Sequence, residues 1–106
     1  MKNGTMPRKT YTDITLAEMR ALRQEPGTVV VDVREPWEFE EFNEGGMNIP
    51  LAKIRENRAL LEPYQSILVI CTNGVRSKVA AMDYCRIPSW EDKAIYHLQG
   101  GILESE

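Results

Sequence analysis

The chain has 106 residues, 42 % hydrophobic and 27 % charged, with a net charge of −3 and a pI near 5.2. That is enough for one core and one domain of ordinary globular composition. The acidic balance and scattered Lys and Arg argue against nucleic acid or an anionic membrane as partner, and no apolar stretch approaches the roughly 18 residues of a spanning helix.

Residues 1–9, MKNGTMPRK, are basic but lack the apolar run of a secretory signal. They are expected to form a flexible tail ahead of a single domain over 10–106. KTYT predicts a short edge strand. In DITLAEMRALRQEPG, Thr15 and Glu18 have capping-box spacing, with Ile14 and Met19 at the staple positions. Leu16, Met19 and Leu22 share one helical face, and Pro26–Gly27 end the helix. VVVDV (29–33) is an unbroken β-branched run, the pattern of a strand buried on both faces of a parallel sheet. Pro36 suits the first turn of an acidic helix, WEFEEF, that stops at Gly45–Gly46. Its Glu38, Glu40 and Glu41 read as a solvated face, and Trp37, Phe39 and Phe42 as packing residues.

MNIP (47–50) predicts a brief strand. LAKIRENRALLE (51–62) predicts a helix with Leu51, Ile54 and Leu61 at helical spacing, and ILVIC (67–71) a second apolar strand. RSKVAAMDYCR reads as helical, with Val75, Val79 and Met82 on one side and Pro88 closing it. AIYHL (94–98) is the last strand, with His97 in a structural role, followed by Gln99, Gly100, Gly101 and a stub of five residues.

Strands alternating with helical patterns define βαβ units. The fold class is therefore α/β, a mostly parallel central sheet of about five strands flanked by helices on both faces. Sites in such sheets form outside the carboxyl ends of the strands. Cys71 stands there, at the head of CTNGVRS (71–77), where solvent access is expected.

A cysteine attacks through its thiolate, and this stretch offers three ways to stabilise one. The helix that opens around Arg76 presents unpaired N–H groups. Gly74 permits a tight turn whose N–H groups point inward. Arg76 adds a fixed charge and a planar fork suited to an oxyanion. Ser77 is placed to cap the helix or to add one more donor. The competing reading is a plain core cysteine, which the glycine and arginine that follow disfavour. Cys85 lies about 13 Å beyond Arg76 along the helix, which makes it a packing residue and leaves it out of disulfide reach. Two cysteines and one histidine make a poor metal set, and reduced thiols fit a cytoplasmic protein.

From about Tyr11 to Gly101 the sequence resembles a single-domain rhodanese, a sulfurtransferase. VVVDVREPWEFE (29–40), GGMNIP (45–50), CTNGVRS (71–77) and LQGG (98–101) carry the resemblance by their order and spacing. It implies that Cys71 takes the outer sulfur of a small-molecule donor such as thiosulfate, expels sulfite, and passes the sulfur from a persulfide to cyanide or a thiol. Thr72, Asn73, Gly74, Val75 and Arg76 would hold that sulfur through their N–H groups, with Arg76 orienting an anionic donor. No metal or organic cofactor is implied. Arg34 is a candidate second anion contact; the other reading has Asp32, Arg34 and Glu35 tying the strand end to its loops.

Two other functions border on this one. A relay module would receive or deliver persulfide through a protein partner and scarcely use thiosulfate, since Arg76 is the only cation in the loop. A cysteine phosphatase would have a C-x5-R loop, whereas Cys71 and Arg76 form C-x4-R, with one N–H group fewer. The chain departs from the family pattern where Glu41 and Phe42 replace a glycine and a histidine before NIP, and where RIPSWEDKA replaces a glycine turn. Its closing helix is cut to ILESE, leaving a face that a homodimer or a partner protein would complete.

Overall fold

The computed structural model describes residues 9–104. Five strands, β1 (Thr12–Ile14), β2 (Thr28–Asp32), β3 (Met47–Asn48), β4 (Ser66–Ile70) and β5 (Ala94–Leu98), form one sheet in the order β1-β5-β4-β2-β3. Every neighbouring pair is parallel. Helices α1 (Leu16–Leu22), α2 (Pro36–Glu41) and α3 (Val75–Tyr84) lie in the connections, and α4 (Gly101–Glu104) follows the last strand.

The apolar runs send alternate side chains to opposite faces of the sheet. Val29, Val31, Ile67, Val69 and Cys71 pack with Leu61, Ala80, Ala81, Tyr84 and Trp90 on one face. Val30, Leu68, Ile70 and Leu98 pack with Leu16, Met19 and Ile102 on the other. Each buried aliphatic side chain contributes about 1.5–3 kcal/mol, so these two clusters, more than propensity, hold such short helices in place. Thr15 caps α1 as its spacing predicts: its Oγ1 accepts from the Glu18 N–H at 3.1 Å, and Glu18 Oε1 accepts from the Thr15 N–H at 2.8 Å. Ile14 and Met19 are buried in one cluster, as a staple requires.

Several elements differ from the sequence reading. The first strand begins at Thr12, because Thr12, Asp13 and Ile14 pair in register with Tyr96, His97 and Leu98. Lys9, placed by sequence in the tail, donates to the main-chain carbonyls of Trp90, Glu91 and Lys93; residues 1–8 of that expected tail lie outside the described residues. LAKIRENRALLE forms two 3-10 turns, Leu51–Lys53 and Arg58–Leu61, in place of one helix. Asn57 breaks it: φ −112° and ψ 16° are not helical, and its side-chain amide donates to the Lys53 carbonyl at 2.9 Å.

The α3 row Val75, Val79 and Met82 does share one side, but that side faces solvent. These residues are 63 %, 51 % and 41 % exposed, while Ser77, Ala80, Ala81 and Tyr84 face inward. Helix α2 ends at Glu41 and buries none of its residues, so Trp37 and Phe42 are exposed instead of packed. RIPSWEDKA holds a 3-10 turn, Pro88–Trp90, that buries Trp90 beside Tyr84 with ring centroids 5.3 Å apart.

Candidate active site

Cys71 follows β4 directly and extends its inward row of Ile67 and Val69. The N–H groups of Gly74 and Ser77 point at its Sγ from 3.1 and 3.2 Å. The thiol in turn donates to Ser77 Oγ at 3.3 Å, a hydroxyl that can rotate to donate when the sulfur is ionised. Donors converging on one sulfur stabilise negative charge there. Ser77 therefore adds donors and does not cap the helix. The cap position belongs to Gly74, whose φ of 90° lies in the left-handed region that other residues reach only with strain. The expected solvent access is absent: Cys71 has no exposed surface and packs into the first cluster.

The loop can turn its N–H groups inward because its carbonyls are held from outside. Gly74 O accepts from His97 Nε2 at 2.9 Å, and the Cys71 and Thr72 carbonyls accept from the N–H groups of Ile102 and Leu103 at 3.0 and 3.2 Å. His97 is pinned in turn by Asp13 Oδ1 at 2.8 Å and by the edge-on Tyr11 ring. Asn73 Oδ1 accepts from the Val75 N–H at 3.1 Å and closes the turn. Gly101, at φ 76°, has no room for a side chain, since a Cβ would lie 2.1 Å from Thr72 O. LQGG and the start of α4 thus clamp the loop.

Arg76 is engaged. Its guanidinium makes a two-pronged ion pair with Glu38, at 2.7 and 3.0 Å. This pairing holds the Glu38 carboxyl at about 2, below its ordinary 4.5, and raises the arginine in return. Glu38, read from sequence as part of a solvated face, belongs to the site instead. The hydrogen bonds of buried Arg34 go to Asp32, at 2.8–3.1 Å, and to the Phe42 carbonyl at 2.6 Å, which ties the end of β2 to the chain beyond α2. Cys85 is a free thiol that burial pushes up, as suits a packing residue.

Glu38, Asp13 and the contact of His97 with the loop escaped sequence reasoning. Glu38 is 38 residues from its partner Arg76, and His97 is 23 residues from Gly74; no local spacing marks such pairs. The glycines of LQGG were the legible trace of the clamp.

A parallel α/β sheet with a cysteine at a strand's carboxyl end, its sulfur met by N–H groups of the loop and helix that follow, is the architecture of rhodanese-like proteins. The family model described as rhodanese-like domain matches residues 15–105, and the chain belongs to that family. It is 32 % identical over 100 residues to a tRNA uridine(34) hydroxylase of Mesorhizobium japonicum, a match that takes in 88 % of this chain and 31 % of that protein. The chain thus spans about a third of that relative. Among solved structures, a rhodanese-related protein from Thermoplasma volcanium matches with a TM-score of 0.67 at 32 % identity, covering 86 % of each chain. A single-domain sulfurtransferase from Saccharomyces cerevisiae matches with a TM-score of 0.64 at 25 % identity, over 93 % of this chain and 91 % of that one. No helix among the described residues is long and apolar enough to cross a membrane.

Proposed function

We propose that the protein is a sulfurtransferase that carries sulfane sulfur on Cys71. The observation that supports this most is the convergence of the Gly74 and Ser77 N–H groups and the Ser77 hydroxyl on one sulfur. The Cys71 thiolate attacks the outer sulfur of the donor. The donor's bond to that sulfur breaks, its electron pair leaves with the expelled group, and Cys71 becomes a persulfide. An acceptor, cyanide or another thiolate, then attacks the outer sulfur, and the electron pair of the broken S–S bond returns to Cys71. The two half-reactions are ping-pong nucleophilic catalysis. Thr72 to Arg76 line the loop that holds the added sulfur, and its C-x4-R length disfavours a phosphatase. The cytoplasm, where thiols stay reduced, suits such chemistry.

The Arg76–Glu38 pair favours a narrower reading, a persulfide relay fed by another protein. Glu38 cancels the charge that a doubly negative thiosulfate would seek. The test is thiocyanate formation from cyanide, with thiosulfate or cysteine persulfide as donor. Wild type is expected to turn over faster with persulfide, and Cys71→Ala to add nothing to the uncatalysed rate with either donor. Thiosulfate as the better donor would sink the relay reading, and wild type that adds nothing to the uncatalysed rate with either donor would sink sulfur transfer itself.

A further inference from the structure

The outer side of α3 is built for contact. Val75, Val79 and Met82 recur at helical spacing and are 63 %, 51 % and 41 % exposed, although the core side of the helix is already filled by Ala80, Ala81 and Tyr84. A contiguous apolar row of this kind marks an interaction surface. Between it and Tyr11 runs a groove of about 570 Å³, which continues past Lys78 and Met82 into a hollow of about 270 Å³ that reaches Arg86. Asn73 and Gly74 form one end of the groove, and the Gly74 N–H is bonded to Cys71 Sγ at 3.1 Å. A segment seated there ends at the loop that holds the sulfur.

Charge selects the occupant. Lys78 and Arg86 pair with no acid among the described residues. Lys9 is held by main-chain carbonyls, which leave its charge uncancelled. Asp13, the one acid on these walls, is hydrogen-bonded to His97, so Lys9, Lys78 and Arg86 stand against a single carboxylate. On a chain of net charge −3, this wall is cationic. Residues 1–8 contain Lys2 and Arg8 and no acid, so the chain's own start has the wrong sign. A second copy would set the same cations against themselves across a two-fold contact.

We propose that the groove docks an acidic segment with apolar side chains, belonging to a protein whose thiol accepts sulfur from Cys71. The inference rests on the sulfurtransferase reading and deepens it. The acceptor thiolate attacks the outer sulfur of the Cys71 persulfide and becomes a persulfide itself, while the S–S bond breaks and its electron pair restores the Cys71 thiolate. There is no net oxidation.

The test loads the full chain with sulfur from cysteine persulfide and follows its loss to three acceptors: cyanide and two cysteine-headed hexapeptides, CGLEVE and CGLKVK. The acidic peptide is expected to drain the sulfur about 10-fold faster than the basic one at low ionic strength, with the advantage shrinking as salt rises. Lys78→Glu and Val79→Glu should abolish most of that advantage while leaving transfer to cyanide within about two-fold of wild type. Equal rates for the two peptides would overturn the proposal. So would a dimer dissolved by Val79→Glu without any peptide preference, which would assign the groove to a second copy. Wild type that gives no sulfur to cyanide would refute sulfur transfer itself, and docking with it, whereas cyanide turnover without peptide preference refutes docking alone.

Discussion

Arg76 of α3 and Glu38 of α2 meet in a two-pronged ion pair, at 2.7 and 3.0 Å, that joins the active-site loop to the helix after β2. The pair fixes the guanidinium and cancels the one cation of the loop. Replacing Glu38 by Gln keeps the shape and frees the charge. Glu38→Gln should raise kcat/KM for thiosulfate about 10-fold, mostly through KM, the effect of roughly 1.4 kcal/mol of added attraction. Turnover of cysteine persulfide, which carries less negative charge than thiosulfate, should change far less. An unaltered thiosulfate rate would show that the pair does not set donor preference.

The same pair makes stability depend on pH. Folding lowers the Glu38 carboxyl from about 4.5 to about 2, chiefly through its bond to Arg76. The ion pair therefore contributes fully above about 4.5 and is lost as the pH falls to about 2. Because both side chains retain some solvent contact, its worth is on the order of 1 kcal/mol. Glu38→Gln should be less stable than wild type by that amount at pH 7, and the gap should close in acid. Urea unfolding at pH 7 and near pH 2.5 measures this, and a gap that persists in acid would rule out the ion pair as its source.

Ser77 meets Cys71 Sγ twice: its N–H donates at 3.2 Å, and its hydroxyl, which accepts from the thiol at 3.3 Å, turns to donate once the sulfur is ionised. Ser77→Ala removes only the hydroxyl. Loading of sulfur should slow on the order of 10-fold, a modest share of what one donor to a developing anion can supply. Thermal unfolding should be little changed. Loading at the wild-type rate would mean that the N–H groups suffice.

Gly101 shows how much the site depends on the chain after β5. A methyl group there would lie 2.1 Å from Thr72 O, at a φ of 76° that L-residues avoid. Gly101→Ala should cost about 2 kcal/mol or more, from backbone strain and displacement of the loop, and should reduce sulfur loading together with stability. Calorimetry and a loading assay on one preparation test this, and normal loading in a destabilised variant would separate the clamp from the loop.

Much of this was legible in the sequence, for physical reasons. The runs at 29–33 and 67–71 read as buried parallel strands because short, mostly apolar stretches rich in β-branched residues suit a sheet covered on both faces. Thr15 and Glu18 fixed the start of α1 through local geometry. Cys71, Gly74 and Ser77 fall within one turn of loop and helix, so their meeting follows from spacing alone. Periodicity failed where the tertiary setting decides. It showed that Val75, Val79 and Met82 share a side but not which side faces the sheet; the small Ser77, Ala80 and Ala81 claim that role. Nor could it show that the Asn57 side chain captures the Lys53 carbonyl and stops a helix. The outer ring of the site, Glu38 and the Asp13–His97 pair, is assembled by strand order, which sets β2 beside β4 and β1 beside β5.

The central claim is that Cys71 carries the sulfur, and intact mass tests it most directly. Wild type and Cys71→Ala would be incubated with thiosulfate and, separately, with cysteine persulfide, then weighed before and after cyanide. One added sulfur in wild type alone, removed by cyanide and more complete from the persulfide donor, is the predicted result. No added sulfur from either donor, or an equal gain in Cys71→Ala, would contradict it.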